Sequence, residues 1–78
     1  MPELPETTLR RRRALGDTIR ATRIAAGLTQ EKAAIAAGLD RSFYVEVETG
    51  KHSLTVDRLF AMADALDVPA AHLLDGIK

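Results

Sequence analysis

The chain has 78 residues, with eleven basic side chains balancing eleven acidic ones, three aromatics (Phe43, Tyr44, Phe60) and no cysteine. That length is about half of the ~150 residues usual for a domain, which predicts one domain without room for both a core and a deep catalytic cleft. The missing cysteines exclude disulfides, thiolate metal sites and cysteine nucleophiles. With no long apolar run and no secretory segment, the expected location is cytoplasmic, with no membrane contact.

Charge is unevenly spread. Arg10, Arg11, Arg12 and Arg13 against Glu3 and Glu6 leave residues 1–14 at +2, and seven basic against nine acidic residues leave the remainder at −2. Residues 1–13 therefore read as a flexible basic N-terminal arm, either a solvated tail or a phosphate-binding one, ahead of a domain over residues 14–78. Pro2 and Pro5 support a loose start through Thr8.

After this comes an arginine-started helix that ends at Ala26, with Leu15, Ile19 and Arg23 on one face and Gly16 inside it at some cost in propensity. Thr29 can cap a second helix, Gln30–Ala37, whose alanines admit a close neighbour and which Gly38 stops. Asp40 can cap a third, Arg41 to about Thr49, ended by Gly50. Residues 43–49 are β-branched and aromatic and read locally as a strand. No second strand-like run exists to pair with them, so helix is the expectation. Thr55 caps a fourth helix, Val56–Leu66, with Val56, Leu59, Phe60, Ala63 and Leu66 as one apolar stripe. Pro69 opens a short fifth toward Asp75. The expected fold is all-α, a compact five-helix domain.

The twenty residues Gln30–Thr49 carry linked constraints. Ala34 must be small where the third helix crosses it, Gly38 must accept a left-handed turn, and Ala33, Ala37, Leu39, Tyr44 and Val47 must be apolar to bury the crossing. All are met. This is the helix-turn-helix pattern, whose second helix can lie in the DNA major groove.

Leu15-Gly16, Ile19-Arg20, Arg23, Gly27-Leu28-Thr29-Gln30, Gly38-Leu39-Asp40-Arg41-Ser42, Val47-Glu48-Thr49-Gly50 and Ala63-Asp64-Ala65-Leu66-Asp67-Val68 together resemble the Cro and phage-repressor class, the xenobiotic-response-element-like regulators with a lambda-repressor-like fold. The resemblance spans about residues 15–75. The run Gly38–Phe43 is most similar to the single-domain controller proteins of restriction–modification systems. Two departures stand out: Thr22 where the class buries a leucine, and Val45 and Glu46 where it carries more polar or basic residues.

The resemblance implies site roles. Arg41 and Ser42 would reach base edges, arginine bridging guanine O6 and N7. Glu46 would accept from cytosine N4 or repel phosphate. Gln30, Thr49, Lys51 and His52 would contact phosphates, with an exposed first-turn residue as the lesser alternative for Gln30 and a plain loop histidine as an equal one for His52. Between Leu39 and His52, Arg41 and Lys51 face Asp40, Glu46 and Glu48, so the arginines at 10–13 are candidates for the missing positive charge. Arg23 and Glu48 match a structural ion pair of the class.

A module this small gains affinity by dimerising, and Val68, Ala71, Leu74 and Ile77 are the candidate homodimer interface. The resulting expectation is a homodimeric regulator that binds double-stranded DNA at a short operator and controls its own gene. A protein-interaction or antitoxin-like module on the same fold is the alternative. Two distant histidines, no phosphate loop and no acid–base pair argue against an enzyme, and no cofactor or metal is expected.

Overall fold

The computed structural model describes residues 3–78 and consists of five helices: α1 (Glu6–Ala25), α2 (Gln30–Ala37), α3 (Arg41–Glu48), α4 (Val56–Leu66) and α5 (Ala70–Leu74). Among the described residues there is no strand.

The first helix begins earlier than expected. Residues 6–13, read from sequence as part of a flexible arm, form the opening turns of α1, while Met1 and Pro2 lie outside the described residues. After Pro5 no helix breaker remains until Gly16, and the arginines are good helix formers. Tertiary contacts then hold these turns: Arg12 Nη1 donates to Lys51 O at 3.4 Å and Arg11 Nε to Lys78 O at 2.8 Å. Further along, Thr22 sits half-buried where an apolar residue was expected. Its hydroxyl donates to Thr18 O at 2.7 Å, so no polar atom is left unsatisfied.

Gly16 is buried in the interior of α1. A Cβ there would run into the backbone of the last turn of α3, 2.7 Å from Val47 O and into Glu48 O. Its role is contact distance between two helices, a constraint that pattern reading of α1 alone does not contain.

The turn between α2 and α3 is built as the sequence predicts. Thr29 accepts from Lys32 N at 3.1 Å and Asp40 Oδ2 from Ser42 N at 3.1 Å, capping the two helices. Gly38 has φ +71°, and the amides of Gly38 and Leu39 return to Ile35 O and Ala34 O at 3.1 and 2.9 Å. This pair of bonds is a Schellman close, which needs the left-handed residue. The strand-like run is helical through Glu48, with Thr49 as the cap residue, because that spacing drops Tyr44 and Val47 into the core.

Thr55 caps α4 by accepting from Arg58 N at 3.2 Å. Its expected stripe is rotated, however. Met62, Ala63 and Leu66 are buried, whereas Val56 and Phe60 are 67% and 55% exposed. The helix meets the alanine face of α2, and that close approach centres the buried face on 59/62/63/66 and leaves 56 and 60 at its margin. Pro69 precedes α5 as its cap residue and is not its first turn. The core is Ile19, Ala33, Ala34, Ala37, Tyr44, Val47, Met62, Ala63, Leu66 and Leu73, in which alanines on α2 trade area for proximity.

An interior Gly→Ala change normally stabilises a helix by about 1 kcal/mol. Here Gly16→Ala is expected to destabilise by about 1–3 kcal/mol, because the methyl must displace backbone. Thermal denaturation followed by circular dichroism checks this, and a raised melting temperature would contradict the close α1–α3 contact.

Candidate nucleic-acid interface

Helix α3 separates two jobs on eight residues. Tyr44, Val47 and Glu48 are buried against the body. Arg41, Ser42, Val45 and Glu46 line one shallow recess on the outside, the i, i+1, i+4, i+5 spacing of a single helix face. The structure thus brings together the three residues expected to meet bases. It adds Val45, which the sequence marked only as a departure, and whose place between Arg41 and Glu46 follows from helical spacing.

The anchoring side is organised by one carboxylate. Glu48 is 5% exposed. Arg23 donates to it twice, Nε to Oε2 at 2.9 Å and Nη2 to Oε1 at 3.0 Å, as the sequence pairing predicts. Tyr44 Oη donates to Oε2 at 2.6 Å and Gln30 Nε2 to Oε1 at 3.2 Å. The remaining Arg23 nitrogen, Nη1, donates to Leu28 O at 2.9 Å. One negative group thereby ties α1, α2 and α3 together. Burial pushes the Glu48 carboxyl up, but the hydrogen bonds from Arg23, Tyr44 and Gln30 outweigh it and hold the group below its ordinary range. The hydrogen bond to Glu48 raises Arg23. Burial, then the bond to Glu48, raises Tyr44.

Gln30 was expected at a phosphate, and its amide is instead already engaged at Glu48 with one N–H remaining. Sequence reasoning did not place Gln30 or Tyr44 in the network, since both contacts depend on how the helices cross. Thr49 is exposed and its hydroxyl donates to Val45 O at 3.0 Å. Lys51 and His52 are exposed in the following turn. His52 Nε2 lies 3.0 Å from Glu46 Oε2, its ring stacks on Phe43 at 5.7 Å between centroids, and the Arg58 guanidinium lies 5.1 Å from the same Phe43 centroid.

The four arginines divide. Arg13 shares a recess with Thr49 and Lys51 beside the end of α3, and Arg12 reaches the Lys51 carbonyl. Arg11 points to Lys78, and Arg10 is exposed. The residues expected at a dimer interface also divide. Val68 lines a groove with Ala21, Ala25 and His72. Leu74 and Ile77 line another, about 460 Å³, with Arg12, Leu15 and Ser53. Ala71 is exposed. Among the described residues no cluster of three or more His, Asp or Glu side chains could hold a metal, and no helix is long and apolar enough to cross a membrane.

Residues 14–75 match the family described as a helix-turn-helix domain. None of the curated proteins matches the chain. Among solved structures it is similar to the restriction-modification controller protein C.AhdI from Aeromonas hydrophila, at 35% identity over 80% of this chain and 94% of that one, with a TM-score of 0.78. It is also similar to the hypothetical transcription factor NHTF from Neisseria, at 34% identity over 95% and 84% of the two chains, TM-score 0.79. The clp gene regulator ClgR from Corynebacterium glutamicum is 28% identical over 81% of this chain and 67% of its own, TM-score 0.78.

Glu48→Ala leaves Arg23 charged and half-buried without its partner, which is expected to cost about 3–5 kcal/mol, or a melting temperature lower by at least ~12 °C in a domain of this size. Because the folded carboxyl titrates below the unfolded one, the contribution of Glu48 is complete above the ordinary value of about 4.5 and is lost as pH falls below it. The gap in melting temperature between wild type and Glu48→Gln should therefore narrow in acid. A gap that stays constant from pH 7 to pH 3 would show that the charge of Glu48 does not carry the effect.

Proposed function

The chain belongs to the helix-turn-helix domain family, and from that premise we propose that it is a sequence-specific DNA-binding transcriptional regulator of the controller type, acting as a homodimer on a short operator and controlling its own gene. The observation that carries this reading is the outward face of α3, where Arg41, Ser42, Val45 and Glu46 stand together on a helix fixed from behind by Glu48. The solved structures it resembles, a restriction-modification controller and transcription factors, support the same class.

In this reading Arg41 bridges guanine O6 and N7, Val45 meets a thymine methyl, Ser42 takes either base type, and Glu46 accepts from cytosine N4. Lys51, Thr49, Arg12 and Arg13 follow the phosphates beside the end of α3. The remaining amide hydrogen of Gln30 serves the same purpose at the start of α2. Arg11, held at the chain's other end, stands outside this set, and Arg10 serves only general attraction. An eight-residue reading helix covers few base pairs, so a second copy is needed, with half-sites about one helical turn apart. Leu74, which is 45% exposed, with Ile77 and Ala71 supplies the proposed dimer contact. Val68 faces a different groove and packs on the core.

Fluorescence-anisotropy titration against the DNA upstream of the protein's own gene, with unrelated competitor, tests the reading. Competitor-resistant binding with two protomers per site is expected, and Arg41→Ala should lose about 1–3 kcal/mol of discrimination at one base position. A folded protein that binds no duplex would overturn it in favour of the protein-interaction or antitoxin-like module.

The placement of the arginines makes a separate prediction. Arg13→Ala should reduce the slope of log K against log salt by about one, while Arg11→Ala leaves it unchanged. Equal slopes in the two variants would remove Arg13 from the phosphate track.

A further inference from the structure

We propose that His52 is a proton-linked positioning residue for DNA recognition: held against Phe43, its imidazole restrains the Glu46 carboxylate at the edge of the reading face, and DNA binding takes up a proton there. The inference rests on the reading that α3 enters a DNA groove, and it assigns His52 a role other than direct phosphate contact.

Two contacts hold the imidazole and a third holds its backbone. Its Nε2 lies 3.0 Å from Glu46 Oε2. Its ring stacks on Phe43, 5.7 Å between centroids and 21° from parallel. Its backbone N–H donates to Glu46 O at 3.3 Å, joining the loop to the helix that carries the carboxylate. The side chains of the pair stay open to solvent, 51% exposed for His52 and 39% for Glu46, so protons and DNA both reach it.

The charges around His52 make its proton matter. Glu46 faces it from α3, and Lys51 precedes it in the loop. Arg58 approaches from α4 across the shared Phe43 ring, and Arg12 reaches from α1 to the Lys51 carbonyl. Of these groups Glu46 is the one carboxylate, and it shares a recess with Arg41, where phosphates must come close. An unneutralised carboxylate there repels DNA. Histidine is the side chain that ordinarily changes charge between pH 5 and 8. A neutral imidazole can still donate through Nε2–H and hold the carboxylate in place, but only the protonated ring cancels its charge. The phosphate field favours that protonated form, so the complex binds more protons than the free protein. By reciprocity, affinity must then rise as pH falls.

The test is anisotropy at constant salt between about pH 6 and pH 8, using the upstream fragment and, at low salt, a random-sequence duplex. One linked proton changes an equilibrium constant by at most ~10-fold per pH unit, so wild type should weaken about 3- to 10-fold across the range. His52→Gln keeps a hydrogen-bond donor without a titrating charge and should be flat. His72→Gln, which alters the other histidine, on α5 away from α3, should keep the slope. Tight but pH-independent binding by wild type, or a wild-type slope in His52→Gln, would overturn this proposal and leave the DNA-binding reading standing. A folded protein that binds neither duplex at any pH would overturn both.

Discussion

A single buried carboxylate determines how this domain presents its recognition helix. Glu48 ends α3, where a negative charge opposes the helix dipole, and it lies where solvation is lost. Both costs are offset only because four hydrogen bonds converge on its two oxygens: two from Arg23, one from Tyr44 and one from Gln30. A carboxylate has about four acceptor sites, so the group is fully satisfied by bonds that come from all three helices. The network fixes rotation of α3 about its own axis as well as its position. That rotation turns Arg41, Ser42, Val45 and Glu46 outward. Pairing with Arg23 also removes Glu48 from the charge that DNA would meet, so α3 is less acidic at its surface than its composition suggests.

Close approach is the second constraint, and small residues supply it. Gly16 lets α1 touch the last carbonyls of α3, which brings Arg23 within reach of Glu48. Ala33, Ala34 and Ala37 do the same for α2 against its neighbours. The domain thus gains little area per contact and compensates with proximity and with a polar tie between helices. The same compactness orders the N-terminal arginines. A free arm could sweep along a backbone; a helix sends successive side chains in different directions, so that Arg13 stands near Lys51 while Arg11 does not.

Elements whose causes are local were legible in the sequence. Thr29, Asp40 and Thr55 each cap the helix that follows, and Gly38 closes α2, because a cap acts over three or four residues. The Arg23–Glu48 pair was legible through resemblance and through the charge that burial would otherwise strand. What was not legible depends on elements distant in sequence. Residues 6–13 are helical in a fold where the 51–53 loop and the C-terminal residues receive their arginines. Val56 and Phe60 fell outside the core because α4 turns to meet alanines on α2. Gln30 and Tyr44 reach Glu48 only once the crossing is made, and the His52–Glu46–Phe43 contact joins a loop to a helix in a way no periodicity records.

The charge balance bears on how such a protein would discriminate among sites. Affinity for arbitrary DNA comes from neutralising phosphates, and a chain with eleven basic and eleven acidic residues has little of it to spend. A strongly basic reader would be retained by the many competing sites of a genome. In the proposed reading, a neutral one is held only where base contacts and a second copy add to the few phosphate contacts assigned to Lys51 and Arg13. Discrimination is a ratio of specific to non-specific affinity, and lowering the denominator raises it as surely as improving a base contact. On this view Glu46 beside the groove is consistent with recognition: the repulsion that remains beyond its contact with His52 applies on every sequence and is offset further only where the carboxylate also meets a base donor.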